Sequence, residues 1–142
     1  GPKNFRSYFE TANRLLKDDG FFLLHTVGSN QSTNRIDAWM DKYIFPNGVL
    51  PSLKQVGEAI EGLFMVEDLH NFGGDYDRTR MAWHHKFDSN WASLKEKYDE
   101  RFRRMWSFYL QSCAAGFRTR NIQLWHLVLA KRGVKGGYET VR

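Results

Sequence analysis

The segment Phe21–Val27, FFLLHTV, constrains the fold more than any other part of the chain. It is too short for an independent helix, and its apolar character is typical of a strand in an α/β sheet. The preceding residues Asn4–Leu16 place apolar side chains at helical spacing, and Asp18-Asp19-Gly20 ends that helix. A helix, a glycine stop and a buried strand form the second half of a βαβ unit. The sequence therefore predicts an α/β fold in which this strand is buried on both faces.

Further elements follow at spacings typical of the same fold class. The predicted helices cover 36–44, 52–61 and 75–118, and the predicted strands cover 63–71 and 122–130. Ser52 and Gln55 form a capping box at the start of the second of these helices. Phe72-Gly73-Gly74 predicts a turn, and the long helical region is expected to divide near Lys97–Asp99. Three strands are few for an α/β sheet, so the chain looks like the back half of a domain.

Composition excludes several classes of protein and leaves two kinds of partner open. The single cysteine, Cys113, excludes an internal disulfide framework, and no apolar run approaches the length of a membrane span. The formal net charge is +5, and aromatic residues make up 15% of the chain. Many rings together with excess positive charge suit an apolar pocket beside an anionic partner. Composition does not choose between a membrane surface and a nucleic acid.

Familiar catalytic motifs are missing from the sequence. It contains no GxGxxG or phosphate-loop pattern, and no serine stands in a nucleophile-elbow motif. The five histidines and one cysteine lack metal-ligand spacing, and the neighbours His84 and His85 would diverge on a helix. No metal site is therefore predicted.

A few side chains allow both a functional and a purely structural interpretation. His25 ends the first strand, where open α/β sheets place ligands, although its position alone favours a histidine that is satisfied within the fold. Tyr76 and Trp83 share one helical face with position 80, which is either a site wall or ordinary aromatic packing. Cys113 lies on an apolar stripe and is interpreted as a core residue. Five arginines form either a solvated face or a phosphate-binding cluster: Arg101, Arg103, Arg104, Arg118 and Arg120.

Five ordered segments together resemble one known family. They are GPKNFRSYF, FFLLHTVGS, WMDKYIFPNGVLPS, EDLHNFGGDYDRTRMAW and YLQSCAAGFRTRNIQLW. Each segment is weak alone, but the ordered set is similar to the C-terminal part of the cyclopropane-fatty-acyl-phospholipid synthases. That family belongs to the S-adenosylmethionine-dependent lipid methyltransferases. The resemblance runs from Gly1 to about Arg132.

The resemblance implies a fold, a reaction and a set of site residues. Residues 1–142 would be the C-terminal portion of a Rossmann-like methyltransferase domain, with inserted helices forming an acyl pocket. The implied reaction is methylene transfer from S-adenosylmethionine to a cis double bond in a phospholipid acyl chain. A bicarbonate ion is the implied base, held by the side chains of His25 and Tyr76, the implied catalytic residues, and by the backbone of Val27.

The resemblance also implies partners and marks departures from the family. The implied partner is an unsaturated phospholipid at an anionic membrane surface rather than a nucleic acid. The implied location is the cytoplasm, at the inner face of the membrane. Whether the protein forms a homo-oligomer is left open. Most of the S-adenosylmethionine site, and a further glutamate ligand of bicarbonate, would precede Gly1, so the fragment alone is expected to be inactive. Arg80 replaces a common leucine and His126 a frequent glutamine. The alternatives are a lipid methyltransferase that closes no ring and a non-catalytic fragment that binds lipid or a partner chain.

Overall fold

A computed structural model describes residues 4–140, so Gly1–Lys3 of the first family segment lie outside the described residues. The chain alternates helices with three strands in the predicted order. The elements are α1 Phe5–Leu15, β1 Phe21–Ser29, α2 Ala38–Tyr43, α3 Leu53–Ile60, β2 Met65–Asn71, α4 Gly73–Ser89, α5 Trp91–Leu94, α6 Glu100–Arg118 and β3 Ile122–Ala130. Within residues 4–140, none of the helices has both the length and the apolar character needed to cross a membrane.

The last strand, β3, lies in the centre of the sheet. The strand order is β1-β3-β2, and β3 pairs antiparallel with both neighbours. β1 and β2 therefore run parallel to each other with β3 between them. The pairing places His25 of β1 and His70 of β2 opposite the same residue of β3, His126. Residues far apart in sequence are thus brought into one row.

One face of the sheet carries the main hydrophobic core. Trp125, Leu127 and Leu129 alternate onto this face of β3 and join the buried side chains of α1 and α3. The predicted capping box is confirmed, because Ser52 Oγ accepts the N–H of Gln55 and the Gln55 side chain accepts the N–H of Ser52. The remaining buried members of this core are Phe9, Val56, Ala59, Ile60 and Phe64.

The opposite face is covered by α4 and α6, which pack antiparallel. Arg118 forms an ion pair with Asp77, and Arg103 forms one with Asp88, so the end of α6 lies beside the start of α4. The predicted apolar stripe of α6 faces inward, and Phe117 is completely buried. The break predicted near residues 97–99 is confirmed, since Asp99 caps α6 by accepting the N–H of Phe102. The helical region before it is not one helix, because α4 already ends at Ser89 and the short α5 follows.

Two local expectations are wrong. Phe21 and Leu23 are 46% and 56% exposed, so β1 is not buried on both faces. Among the described residues β1 is an edge strand, and α4 and α6 reach only its second half. Gly73 and Gly74 are not a turn but the first residues of α4. A Cβ at Gly73 would lie 2.9 Å from Arg120 Nη1 and 3.1 Å from Asn71 Oδ1, so a larger residue would require these side chains to shift.

Gly28 tests the packing of the sheet. A Cβ added there would overlap the ring of Trp125, which is buried in the core. Gly28→Ala is expected to lower the free energy of unfolding by about 1–3 kcal/mol or more, as overpacked core substitutions do. Urea denaturation of the purified protein measures this change.

Gly57→Ala is the matched control for Gly28→Ala. Gly57 lies within α3, and an added Cβ there would have nothing within 4 Å. Replacing a helical glycine by alanine is expected to stabilise the protein by about 0.5–1 kcal/mol. Equal effects of the two substitutions would contradict this account of the sheet packing.

Candidate functional site

His25 lies on β1 with its ring against the ring of His126. His25 Nδ1 and His126 Nε2 are 2.6 Å apart, a hydrogen bond in which one ring must donate and the other accept. If His25 is to present Nε2–H to a ligand while neutral, its Nδ1 must accept from His126. The sheet register pairs these two residues, and the direction of their hydrogen bond determines which nitrogen of His25 can donate to a ligand.

His126 is surrounded by rings that favour its neutral form. Burial lowers the pKa of His126, and the nearby His25 and His70 lower it further. Phe72 packs against both histidines, with ring centroids 4.4 Å from His126 and 3.8 Å from His70. A neutral His126 has one N–H to share, which suits a hydrogen bond to a single partner.

Tyr76 reaches the histidine pair from the first turns of α4. The start of that helix is held by Asn71, whose Oδ1 accepts the N–H of Gly73 at 2.9 Å. Phe72 N–H also donates to Leu124 C=O of β3 at 2.8 Å, which joins the helix start to the sheet. The Tyr76 ring consequently contacts His25, with centroids 6.2 Å apart in a T-shaped arrangement. The structure therefore brings together the two side chains that the resemblance singled out.

The backbone of Val27 faces the outer edge of β1. Leu124 of β3 lies opposite Val27 in the register, and its C=O accepts the N–H of Phe72 on the β2 side. The N–H and C=O of Leu124 therefore point away from β1. Pairs in an antiparallel ladder alternate between hydrogen-bonded and non-bonded. The N–H of Val27 must therefore point away from β3. Ser29, two residues on, shows the same direction by donating to Pro51 C=O at 2.9 Å.

A cavity of about 580 Å³ lies beside these residues. Val27 is part of its wall, whereas His25 and Tyr76 stand next to it: Tyr76 contacts Phe117, which lines the cavity, with ring centroids 5.2 Å apart. Most of the lining is apolar and comes from β1, α2 with the loops on both sides of it, α6 and the start of β3. These lining residues include Ile36, Met40, Phe45, Val49, Leu50, Cys113 and Ile122. The site thus combines polar groups on the sheet with an adjoining apolar space.

Arg80 is a buried charged residue that the sequence marked only as a departure from the leucine common in the family. It is 8% exposed, lines the cavity, and donates from Nη1 to the Tyr109 hydroxyl at 2.9 Å. Its guanidinium carbon lies 5.0, 4.8 and 5.3 Å from the ring centroids of Tyr76, Trp83 and Tyr109. The helical spacing of 76, 80 and 83 was the available signal, because a cation interleaved with rings on one face predicts this stacking.

Burial changes the acidity of two groups near Arg80. It raises the pKa of Tyr109, and the Arg80 charge only partly opposes the shift. It also raises the pKa of Cys113, again against the Arg80 charge. Both groups stay protonated near neutral pH, so neither supplies a negative charge. Cys113 is half-buried on the cavity wall and not in a nucleophilic setting.

The five arginines do not form one cluster. Arg103 and Arg118 bind Asp88 and Asp77, and Arg120 packs against Gly73. Arg101 and Arg104 line a separate groove of about 240 Å³ with Trp39, Tyr43, Met105 and Phe108. Within residues 4–140, no group of three or more histidine, cysteine or acidic side chains is arranged to hold a metal ion.

Comparisons with known proteins find relatives of one family along the chain. The family model described as mycolic acid cyclopropane synthetase matches residues 1–127. The cyclopropane-fatty-acyl-phospholipid synthase of Escherichia coli strain K12 is 49% identical over 142 residues, which is 100% of this chain and 37% of that protein. The protein of the same name from Citrobacter freundii is 49% identical over 90 residues, 63% of this chain and 100% of the relative. The chain thus spans 37% of the length of its Escherichia coli relative.

Solved structures share the fold. The cyclopropane synthase MmaA2 from Mycobacterium tuberculosis superposes with a TM-score of 0.82 at 23% identity, over 92% of this chain and 51% of that one. A mycolic acid cyclopropane synthase, CmaA1, complexed with SAH and CTAB gives a TM-score of 0.81 at 25% identity, over 91% and 50%. The predicted α/β methyltransferase-type fold is confirmed. With the family match covering most of its length, the chain belongs to the mycolic acid cyclopropane synthetase family.

Proposed function

We propose that this chain is the C-terminal part of the catalytic domain of a cyclopropane fatty acid synthase. The reaction is methylene transfer from S-adenosylmethionine to a cis double bond of a phospholipid acyl chain. The identity of 49% to a synthase of that name, against 28–29% to several lipid methyltransferases, favours ring closure over methyl addition. The observation that carries the proposal is the approach of Tyr76 to His25 beside an apolar cavity.

The residues present fit a small anion such as bicarbonate. A ring N–H of His25, the hydroxyl of Tyr76 and the outward N–H of Val27 are all donors, and hydrogen bonds to an anion are among the stronger ones in proteins. When bound, bicarbonate supplies a base in an apolar surrounding, and S-adenosylmethionine supplies the methyl group. We assign most of the nucleoside site to sequence outside this chain, which has no GxGxxG pattern.

Within this proposal the side chains orient the anion rather than take the proton themselves. His126 donates Nε2–H to His25 Nδ1, so that His25 keeps Nε2–H for the anion. Tyr76 is positioned by the anchored start of α4 and by ring contacts with His25 and Phe117. The apolar walls of the cavity take the acyl chain and exclude water, so the positively charged reaction centre loses its proton and is not hydrated.

The groove around Arg101 and Arg104 is the proposed contact with anionic lipid. It places two exposed guanidinium groups beside the rings of Trp39, Tyr43 and Phe108. Aromatic rings favour the membrane interface, and each basic group near an anionic surface contributes about 1 kcal/mol. The protein would act from the cytoplasmic side of the inner membrane.

Removing either proposed donor tests the site in the complete enzyme. His25→Ala and Tyr76→Phe each remove one hydrogen bond to an anion, worth about 1.5–3 kcal/mol, so bicarbonate affinity should fall roughly 10- to 150-fold. Turnover at low bicarbonate should fall with it, and added bicarbonate should restore part of it. Mass spectrometry of the lipid product shows whether a ring closes or a methyl branch forms.

Residues of the same types away from the proposed site provide the controls. His85→Ala and Tyr98→Phe change the same groups on α4 and just before α6 and should leave turnover unchanged. Near-normal turnover in the folded His25 and Tyr76 variants would contradict the assignment. A loss of activity that tracks thermal stability and that bicarbonate does not rescue would assign both residues to packing alone.

The lowered pKa of His126 predicts a pH effect on stability. In the folded protein this pKa lies below its unfolded value of about 6.5, so the unfolded state binds more protons as pH falls through that range. Stability should therefore decline below pH 6.5. His126→Gln keeps an N–H donor towards His25 but cannot titrate, so its stability should decline less. Thermal denaturation between pH 5 and 8 measures both, and identical profiles would contradict the prediction.

Lipid binding tests the groove around Arg101 and Arg104. Removing both charges with Arg101→Gln and Arg104→Gln should weaken binding to phosphatidylglycerol vesicles by about 2 kcal/mol at low salt, roughly 30-fold. Arg14→Gln with Lys17→Gln removes two exposed charges from the α1 side of the sheet and is the matched control. Vesicle sedimentation at low and high salt measures the difference. Equal losses in the two double variants would rule out this groove as the contact.

A further inference from the structure

Arg80 carries a buried positive charge that no described residue neutralises. None of the ion pairs formed within residues 4–140 includes it, and its one hydrogen-bond partner is the neutral Tyr109 hydroxyl. Its Nε is buried without a hydrogen-bond partner in the described part of the chain. A guanidinium group does not lose its proton in proteins, so Arg80 cannot avoid the cost of burial by becoming neutral.

The aromatic rings around Arg80 offset only part of that cost. Tyr76, Trp83 and Tyr109 lie within 5.3 Å of the guanidinium carbon and supply cation–π attraction. Ring faces do not satisfy an N–H in the plane of the guanidinium. A counter-ion with hydrogen-bond acceptors would neutralise the charge, and the cavity that Arg80 lines provides the space.

We infer that the cavity wall at Arg80 is a binding subsite for a small oxyanion of the carboxylate or carbonate class. The Arg80 guanidinium group on the cavity wall and the adjoining Tyr76 ring define the subsite. This inference deepens the proposed function, and it rests on it for bicarbonate as the physiological anion. Arg80 then adds a full positive charge to an anion site otherwise built from neutral donors. The charge raises anion affinity, and the bound anion in turn shields the positively charged reaction centre from the guanidinium.

Anion binding to the complete enzyme can be followed without measuring turnover. Trp83 lies 4.8 Å from the Arg80 guanidinium carbon, so its fluorescence reports on that group, and Trp83→Phe identifies its share of the signal. Sodium bicarbonate and sodium acetate are titrated against sodium chloride at equal ionic strength, with melting temperature as a second readout. Both oxyanions should give a saturable change that chloride does not give.

Variants of Arg80 separate its role from general packing. Arg80→Met keeps an apolar stem without the charge and should weaken oxyanion affinity roughly 10- to 150-fold. Arg80→Lys keeps the charge without the planar donors and should weaken it less. Arg78→Leu removes an exposed arginine of the same helix and should titrate like the unsubstituted enzyme.

Each outcome separates this inference from the proposed function. If Arg80→Met titrates normally while His25→Ala and Tyr76→Phe do not, the inference fails and the proposed bicarbonate site stands. If only the Arg80 variants lose the response, the subsite stands and the His25–Tyr76 assignment fails. A response to phosphatidylglycerol vesicles but to neither soluble anion assigns the oxyanion to a lipid phosphate. No anion response in the unsubstituted enzyme overturns the subsite, and points to a carboxylate elsewhere in the enzyme as the partner of Arg80.

Discussion

The pairing of β3 with both β1 and β2 is the interaction on which the rest of the molecule depends. One face of β3 supplies Trp125, Leu127 and Leu129 to the core under α1 and α3. Its other face places His126 between His25 and His70. A slip of one residue in this register would send every core side chain to the opposite face, so the core and the histidine row depend on each other. The packing of Trp125 over Gly28 restricts that register further.

A second constraint is the set of hydrogen bonds between the start of α4 and the sheet. The Asn71 carboxamide accepts the N–H of Gly73 and donates to Gln123 Oε1 at 3.0 Å. These bonds hold the start of α4, and with it Tyr76, at a set position above β1. Gln123 is buried, and a buried polar group without a partner is costly, so its bond to Asn71 favours this position of the helix start. The site residues of α4 are therefore placed by polar contacts remote from any ligand.

Local sequence patterns predicted the elements well where the signal was itself local. The helix of residues 4–16, the strand 122–130 and the Ser52–Gln55 capping box depend on periodicity and near-neighbour hydrogen bonds, and all three are confirmed. The errors concern long-range packing. The exposed face of β1 depends on which helices cover it, and the space at Gly73 is limited by Arg120, a residue far along the chain. For the site, the family resemblance indicated His25, Tyr76 and Val27, but residue spacing alone did not favour His25 or Tyr76 as site residues over packing.

The sequence by itself determined the element types, the α/β class and the family, because periodicity, caps and ordered motifs are written along the chain. Only the tertiary structure decided which charges have partners. Arg103 and Arg118 are neutralised by carboxylates across the helix pair, whereas Arg80, on the same pair of helices, is buried among rings. All three are the same residue type in similar helical patterns. Their electrostatic surroundings differ because the three-dimensional packing sets the distance to a counter-charge and the access of water, and no local spacing encodes either quantity.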